Sequence, residues 1–183
     1  LGGFTTDNTY GSGNGLWHLS AGRRNTAGHT PTSSVYYGQN EGADGGGDYD
    51  NGYANGGAIL SPPISLPDSD DLTLSFNMFS ETEGSRSWDV CGLDVNPGSG
   101  FGQLLSSANG SLPTGTGGVW TNMTASLGSY RGTNVSLRFR FDTFDNVLNG
   151  YEGWYVDDVR ITTYAEGLPD YYAFSLADGE TAT

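Results

Sequence analysis

Apolar and polar residues alternate with a period of two in several separate stretches of this chain. Residues 72–78 (LTLSFNM) and 134–142 (NVSLRFRFD) give the clearest examples. Successive side chains of a β-strand point to opposite faces of its sheet, so this period is typical of strands with one buried face. No stretch shows apolar residues at the three-and-four spacing of an amphipathic helix, so the chain is predicted to be all-β.

Shorter strand candidates lie between clusters of Gly, Asn, Pro and Ser, which favour turns. They occupy residues 33–38, 57–66, 89–95, 101–107 and 119–127. Many short strands joined in this way predict a two-sheet antiparallel β-sandwich. One face of each sheet should pack on the other sheet, and the opposite face should be solvated. Residues 11–57 have few regular apolar positions and predict long Gly-rich loops over one edge.

The charge balance limits the partners that this chain can have. Against 21 acidic residues there are only seven basic ones, all of them Arg, so the net charge is −14. Such a surface repels nucleic acid and favours cations, which predicts no nucleic-acid partner. No apolar run approaches the roughly 18 residues of a membrane span, which predicts no membrane insertion. Acidic chains of this kind are common outside the cell, and we predict a secreted or cell-surface location.

A series of short motifs, in matching order along residues 1–163, resembles the MAM-like jelly-roll modules of large secreted bacterial proteins. The motifs are Leu16-Trp17-His18, Tyr36-Tyr37-Gly38, Leu60-Ser61-Pro62, Leu74-Ser75-Phe76, Glu83, Trp88-Asp89, Trp120, residues 127–132, Arg138-Phe139 and residues 153–159. This resemblance implies a two-sheet jelly-roll fold and an accessory module of a larger exported protein. Such modules are attached to many different proteins, so the resemblance implies no particular ligand.

The composition changes at Ala165, after the last strong strand candidate. Residues 170–176 (DYYAFSL) resemble the first strand of a bacterial pre-peptidase C-terminal module. We therefore predict a MAM-like jelly-roll domain over residues 1–164. Residues 165–183 are predicted to be a linker with one strand of a second module, or a pairing tail. A strand at residues 171–176 could pair with an exposed sheet edge of a neighbouring molecule, which would give self-association.

Two adjacent aspartates interrupt the alternation in residues 153–161 (GWYVDDVRI). If Tyr155 and Val159 face the core, a period of two places Asp157 there as well. A buried unpaired carboxylate costs several kcal/mol, so it needs a cation or several hydrogen-bond donors. Calcium binds about six to eight oxygen ligands, and the chain has no lysine to serve in its place.

The sequence therefore predicts a structural calcium ion at the margin of the sandwich. The resemblance supports it, because jelly-roll binding modules often carry calcium near a strand that ends in an Asp-Asp pair. The alternative is that Asp157 accepts hydrogen bonds from Arg138, Arg140 or the loop backbone. The candidate ligands are Asp157, Asp158, Asp89, Glu83 and Glu152.

A second group of carboxylates lies in the Gly-rich residues 41–52. Asp44, Asp48 and Asp50 stand on a segment flexible enough to wrap around an ion, so they are a second metal-site candidate. Their spacing is not that of an EF-hand loop. The alternative is a turn-rich loop whose carboxylates are solvated.

Aromatic residues crowd the loop-rich regions and raise the question of carbohydrate binding. Sugars stack their apolar faces on Tyr and Trp rings, and Tyr49, Tyr53 and Tyr151 could provide such rings. The alternative is that most of these rings fix the loops onto the sandwich.

No catalytic motif stands out in the sequence. His18 and His29 are the only histidines, and Cys91 is predicted to lie on the core face of a strand, where a thiol is inert. We predict a non-catalytic extracellular accessory module, stabilised by calcium, that mediates adhesion or spacing within a larger exported protein. Its partner would be a polysaccharide or a surface protein. The alternatives are a carbohydrate-binding module and a structural subunit of a fibre or surface assembly joined by strand pairing.

Overall fold

The computed structural model describes residues 3–165 and 168–173. In those ranges the chain forms twelve β-strands and one turn of 3-10 helix at Gly128–Tyr130, with no α-helix. The strands are β1 (Thr5–Asp7), β2 (Trp17–Ser20), β3 (Ser34–Tyr37), β4 (Gly56–Leu60), β5 (Ile64–Ser65), β6 (Thr73–Glu81), β7 (Val90–Asn96), β8 (Gly102–Ser106), β9 (Thr121–Ser126), β10 (Asn134–Asp142), β11 (Gly153–Ala165) and β12 (Leu168–Ala173).

The strands form two six-stranded sheets in which every pair is antiparallel. The front sheet has the order β1-β4-β10-β7-β8, with β5 added beside β10. The back sheet has the order β2-β3-β11-β6-β9, with β12 added beside β11. The predicted all-β jelly-roll sandwich is therefore confirmed.

The core lies between the two sheets and follows the alternation seen in the sequence. Leu137 and Phe139 of β10 face it from the front sheet, and Leu74 and Phe76 of β6 face it from the back sheet; all four are fully buried. The rings of Phe76 and Phe139 meet edge to face, with centroids 5.1 Å apart. Burial of each such side chain contributes roughly 1.5–3 kcal/mol, so this layer holds the sheets together.

A β-bulge in β11 breaks the alternation where the two aspartates stand. Asp157 pairs with Asn77 of β6, but the next paired residue of β11 is Arg160, so Asp158 and Val159 together stand opposite one residue of β6. Asp158 has a positive φ of 51°. An extra residue of this kind shifts every later side chain to the other face of the strand.

The bulge corrects the prediction that Asp157 shares a face with Val159. Trp154 and Val156 face the core before the bulge, and Val159 faces it after the bulge. Tyr155 and Asp157 lie on the outer face of the back sheet, yet both are fully buried. The sequence pattern could not show this change of face, because a bulge adds a residue without altering the composition of the strand.

The outer face of the back sheet is partly covered by the long loop between β2 and β3, residues 21–33. Beneath that loop Tyr36, Phe79 and Tyr155 form a second buried aromatic cluster, with Trp120 packed against it. The rings of Tyr36 and Tyr155 are stacked with centroids 4.0 Å apart. The prediction of a solvated outer face is therefore wrong for this part of the sheet, because the loop takes the place of solvent.

The strand after Ala165 pairs within its own chain. β12 forms an antiparallel hairpin with β11, in which Ala173 pairs with Arg160. Of the predicted strand 171–176, the first three residues belong to β12, and residues 174–176 lie outside the described ranges. The division at residue 165 and self-association through this strand stay predictions. No helix in the described ranges has the length and hydropathy that a membrane span requires.

Candidate functional site

Three long loops meet at one end of the sandwich, which we call the three-loop end. They are residues 38–55, 82–89 and 143–152, and they follow β3, β6 and β10. Because β3, β6 and β11 are neighbours in the back sheet, and β4, β7 and β10 in the front sheet, strand register brings these connections together.

Buried polar contacts join the three loops beneath the surface. The Tyr49 hydroxyl donates to a carboxylate oxygen of Asp89, and the Tyr49 N–H donates to the carbonyl oxygen of Asn149 at 3.2 Å. The Asn55 N–H donates to the hydroxyl of Thr143 at 2.9 Å. Tyr49 belongs to the first loop, is fully buried and binds a residue of each of the other two loops. We call this residue the common support of the three loops.

Asp89 is the most unusual acid at this end. Only 1% of the residue is exposed, and its φ of 54° is positive. Burial raises the pKa of Asp89 to about 6, and the negative charges of Glu83 and Asp145 add to the rise, although the hydrogen bonds from Tyr49 and from the Glu83 N–H oppose it. The structure therefore brings Asp89 and Glu83 together, and both belong to the calcium ligands predicted from the sequence.

Three side-chain oxygens near this support are buried and have no hydrogen-bond donor. They are Oε1 of Glu83, Oδ1 of Asp89 and Oδ1 of Asn149. Asp89 and Asn149 are almost wholly buried, and the Asn149 amide nitrogen donates to the carbonyl oxygen of Asp145 at 3.3 Å. A buried polar atom without a partner costs free energy, so three together call for a physical explanation.

Above this layer the three-loop end exposes apolar side chains to solvent. Among the described residues, seven large hydrophobic side chains are exposed, and five of them stand on these loops. The five are Tyr53, Trp88, Phe144, Val147 and Leu148. Exposed apolar residues scattered singly need no explanation, but a concentration on one end is typical of an interaction surface.

Asp157 lies within β11, outside the three loops, and its partner is His29. Its Oδ2 contacts Nδ1 of His29 at 3.0 Å, and its Oδ1 accepts the N–H of Asp158 at 2.7 Å. His29 also contacts the carbonyl oxygen of Arg23 at 3.1 Å and stacks on Trp120 at 4.2 Å between ring centroids. Neither arginine of the predicted alternative is its partner.

The two proposed donors, Arg138 and Arg140, instead bind Asp94 of β7. The shortest nitrogen to oxygen distances are 2.7 Å for Arg138 and 3.0 Å for Arg140. Asp94 is buried on the outer face of the front sheet, so the two guanidinium groups neutralise a carboxylate there.

The side chains of His29 and Asp157 form a pair that solvent does not reach. Burial disfavours charge on His29, but the hydrogen bonds to Asp157 and to the Arg23 carbonyl outweigh it, so the pKa of His29 is raised. Burial also raises the pKa of Asp157, against the effect of its bond to His29. The folded protein therefore holds protons on this pair more tightly than the unfolded chain does.

The remaining members of the predicted calcium set also have protein partners. Asp158 accepts hydrogen bonds from the Thr30 N–H at 3.0 Å and from the Asn77 amide at 2.8 Å. Glu152 forms a two-pronged ion pair with Arg23, in which Nε lies 2.6 Å from Oε1. The predicted set thus lies in three separate places: Asp157 with Asp158 near His29, Glu152 with Arg23, and Glu83 with Asp89.

The second predicted carboxylate group forms turns. Asp48 accepts from the Gln39 amide at 2.9 Å and from the Asp50 N–H at 3.0 Å, while Asp50 accepts from the Gly52 N–H. Asp44 is exposed and accepts from the Asn25 amide at 2.9 Å. Nowhere in residues 3–165 and 168–173 are three His, Cys, Asp or Glu side chains grouped as a metal site of those residue types would require.

The three predicted stacking tyrosines differ in exposure. Tyr49 is buried and follows the alternative in which rings fix the loops. Tyr151 is partly buried against the core. Tyr53 is 66% exposed and is the one of the three whose ring is largely open to solvent.

Sequence reasoning missed three residues of these sites. His29 lies in a Gly-Thr-Pro loop without a periodic pattern, so nothing local marks it as the partner of an acid 128 positions away. Asn149 has no charge to attract notice. For Trp88 the sequence does hold a signal: a tryptophan beside an aspartate in a loop indicates an exposed ring.

The two sheets and their connections define the class of antiparallel jelly-roll β-sandwiches. The chain is similar in structure to the carbohydrate-binding module TmCBM61 in complex with β-1,4-galactotriose, with a TM-score of 0.55, 11% identity and 86% of each chain covered. It is also similar to the Stig cyclase Fisc from Fischerella sp. TAU, with a TM-score of 0.51, 12% identity, and 87% of this chain and 83% of that one covered. At such identities the likeness is one of fold alone.

No family model matches the chain, so the MAM-like assignment stays a prediction. In sequence, the chain is similar to bacillopeptidase F of Bacillus subtilis (strain 168), with 26% identity over 122 residues. The match covers 60% of this chain and 7% of that protein, so the chain spans only a small part of its relative's length.

Proposed function

We propose that this chain is a non-catalytic attachment module that binds polysaccharide through the three-loop end. The observation that carries the proposal is the exposure of Trp88 and Tyr53 there, at 43% and 66%. The loops that hold both rings are tied together by the buried contacts of Tyr49, so the rings are presented on a fixed support. Sites of this kind bind best when their loops are ordered before the ligand arrives.

The chemistry of the end suits a sugar. An indole or phenol ring offers a flat apolar face with little rotational freedom, on which the apolar face of a sugar ring can stack. Asp50 and Asn146 are exposed on the same loops and can bind hydroxyl groups. The net charge of −14 disfavours anionic polymers, so the expected ligand is a neutral polysaccharide. The fold shared with TmCBM61, which was solved with a galactotriose, supports this class of ligand.

A location outside the cell is part of this proposal, since polysaccharides of this kind are met there. Attachment or spacing within a larger exported protein is the role that the resemblance to MAM-like modules implies.

The test is affinity electrophoresis through gels that contain neutral polysaccharides. We expect the wild-type protein to be retarded by at least one polymer, and Trp88→Ala and Tyr53→Ala to lose most of that retardation. Leu19→Ala is the matched control, because Leu19 is 45% exposed but stands on β2 rather than on the three loops. Equal retardation of Trp88→Ala, Tyr53→Ala and wild type would contradict the proposal.

A surface protein is the second candidate partner, and a specific observation favours it. Phe144, Val147 and Leu148 are each at least half exposed and offer no hydrogen bonds to sugar hydroxyls. A protein interface uses such side chains as its apolar centre. Absence of retardation in every polysaccharide, with loss of cell-surface binding in Leu148→Ala, would favour this candidate. Strand-pairing assembly remains a prediction that no contact of the described residues favours.

A further inference from the structure

We propose that Glu83, Asp89 and Asn149 bind a calcium ion beneath the three-loop end. The three residues come from two different loops, and each contributes a buried carboxylate or amide oxygen that has no hydrogen-bond donor. The site rests on those oxygens and not on the ligand proposed for the exposed rings. Of the five calcium ligands predicted from the sequence, it keeps Glu83 and Asp89, which pair with no Arg or His among the described residues.

The neighbouring contacts connect these three residues. The Glu83 N–H lies 3.4 Å from Oδ2 of Asp89, the same oxygen that accepts the Tyr49 hydroxyl. Tyr49 in turn binds the main chain of Asn149. Since Oδ2 of Asp89 is already occupied by donors, Oδ1 is the oxygen free to bind a cation.

In residues 3–165 and 168–173, no protein cation pairs with this group. Asp89 forms no ion pair with any residue that the structure describes, whereas Glu152 is paired with Arg23 and Asp157 with His29. Two buried or partly buried carboxylates at one point, with Asp145 as a third negative charge, carry an excess of negative charge that burial makes expensive. A divalent cation removes that excess and supplies a partner for all three oxygens.

The donor set selects the kind of cation. All three atoms are oxygens, which disfavours zinc, since zinc prefers nitrogen and sulfur ligands. Calcium accepts carboxylate, amide and main-chain oxygens in flexible geometries, with water completing about six to eight ligands. Magnesium demands a near-ideal octahedron and keeps most of its water, so loop-borne ligands of mixed type favour calcium.

A calcium ion here would bind residues 82–89 to residues 143–152 and so fix the loops that expose Trp88 and Leu148. Binding energy would appear as thermal stability, because the unfolded chain does not hold the three oxygens together. We expect the melting temperature to rise by roughly 5–10 °C when calcium is present at about a hundredfold excess over its Kd. Magnesium at the same concentration should have a much smaller effect.

The experiment measures melting temperature in EDTA and in calcium chloride, with calorimetric titration of calcium alone. Asp89→Asn should abolish the calcium response, and Glu83→Gln should weaken calcium binding by about tenfold or more, since each removes a charged ligand. Asp71→Asn is the matched control: it removes one negative charge from an exposed position at the opposite end of β6 and should keep the full response.

Asp157→Asn separates this site from the one that the sequence suggested. It should lower stability because the negative charge that pairs with His29 is lost, and it should still respond to calcium. Loss of the response in Asp157→Asn with its retention in Asp89→Asn would overturn the proposal, and so would a wild-type protein that neither binds calcium nor gains stability from it.

A second readout covers the case in which Asp89→Asn does not fold. Terbium substitutes for calcium, and energy transfer from Tyr49 or Trp88 would make bound terbium luminesce on ultraviolet excitation. Wild type should show luminescence that calcium displaces, and Glu83→Gln should need about tenfold more terbium for the same signal. If the protein binds calcium but no polysaccharide retards it, the calcium site is supported and only the proposed function is contradicted.

Discussion

At the scale of single residues, several buried charges of this protein are paired with partners that lie far away in sequence. A carboxylate in residues 153–161 could be predicted to need neutralisation, and that expectation holds for Asp157. Its partner could not be predicted, because His29 is placed by a loop without periodicity. At this scale the sequence predicts that a buried carboxylate needs a countercharge, and the tertiary structure determines which residue provides it.

The ion pair of Glu152 with Arg23 gives a prediction at this scale. Both side chains are largely buried, and the guanidinium carbon also lies 3.4 Å from the ring centroid of Phe79. Glu152→Gln leaves the guanidinium buried without its countercharge, so we expect a loss of about 3 kcal/mol in the free energy of unfolding. Urea unfolding measures that loss.

The control for this change is Arg131→Gln. Arg131 pairs with Asp68 and Asp70, but all three side chains are about half exposed or more. Exposed pairs contribute at most about 1 kcal/mol, so this variant should stay close to wild type. Equal losses in both variants would show that burial is not what makes the Glu152 pair strong.

At the scale of elements, the strands follow the alternation in the sequence, and the bulge in β11 does not. Strands β6 and β10 could be predicted with their buried faces, since each carries its apolar residues at every second position. The bulge depends on what opposes it in β6 and on the contacts of Asp158, and neither is visible in a single strand. One irregular residue thus decides which face Asp157 occupies.

Deletion of Asp158 tests the role of the bulge. The deletion restores an unbroken alternation, so Val156 and Val159 keep their places in the core and the protein should still fold. The hydrogen bonds from Thr30 and Asn77 to Asp158 are lost, so residues 21–33 should be held less firmly. We expect trypsin to cut faster after the exposed Arg24 in this loop.

The internal reference in that experiment is cleavage after Arg131, which is half exposed and lies in the connection between β9 and β10. Its rate should not change. Faster cleavage at both sites would indicate global destabilisation, and unchanged cleavage at Arg24 would show that Asp158 does not hold the loop.

At the scale of the whole molecule, the sandwich and its acidity could be predicted, whereas the coverage of the back sheet could not. A period of two says which residues share a face of a strand, but not whether that face meets solvent, the other sheet or a loop. The alternation does not say whether Phe79 and Tyr155 are exposed or buried; they are buried because residues 21–33 lie over them. The same limit applies to the three-loop end, because loop positions carry no periodic signal.

The pH dependence of stability is a property of the whole molecule to which the buried pair contributes. The pKa of His29 is raised above the value of 6.5 that it has in the unfolded chain, and Asp157 and Asp158 are the charged groups that face it. Its stabilising contribution is complete below pH 6.5 and is lost as the pH rises through the higher folded value. In EDTA, wild type should therefore lose stability from about pH 6.5 upward more steeply than His29→Gln.

Thermal unfolding at a series of pH values measures these slopes. The comparison uses the change with pH and not the absolute melting temperature, because His29→Gln also removes a hydrogen bond. Parallel slopes for the two proteins would mean that His29 does not bind its proton more tightly in the folded state.

The loop that covers the back sheet also constrains the order in which this protein can fold. Arg23 and His29 are separated from the acids they neutralise by 129 and 128 positions. Contacts between such distant positions form late and slow the search for the native state. During synthesis, therefore, residues 21–33 cannot make these contacts until β11 has emerged from the ribosome, and a fragment that stops before residue 152 cannot complete the covered face.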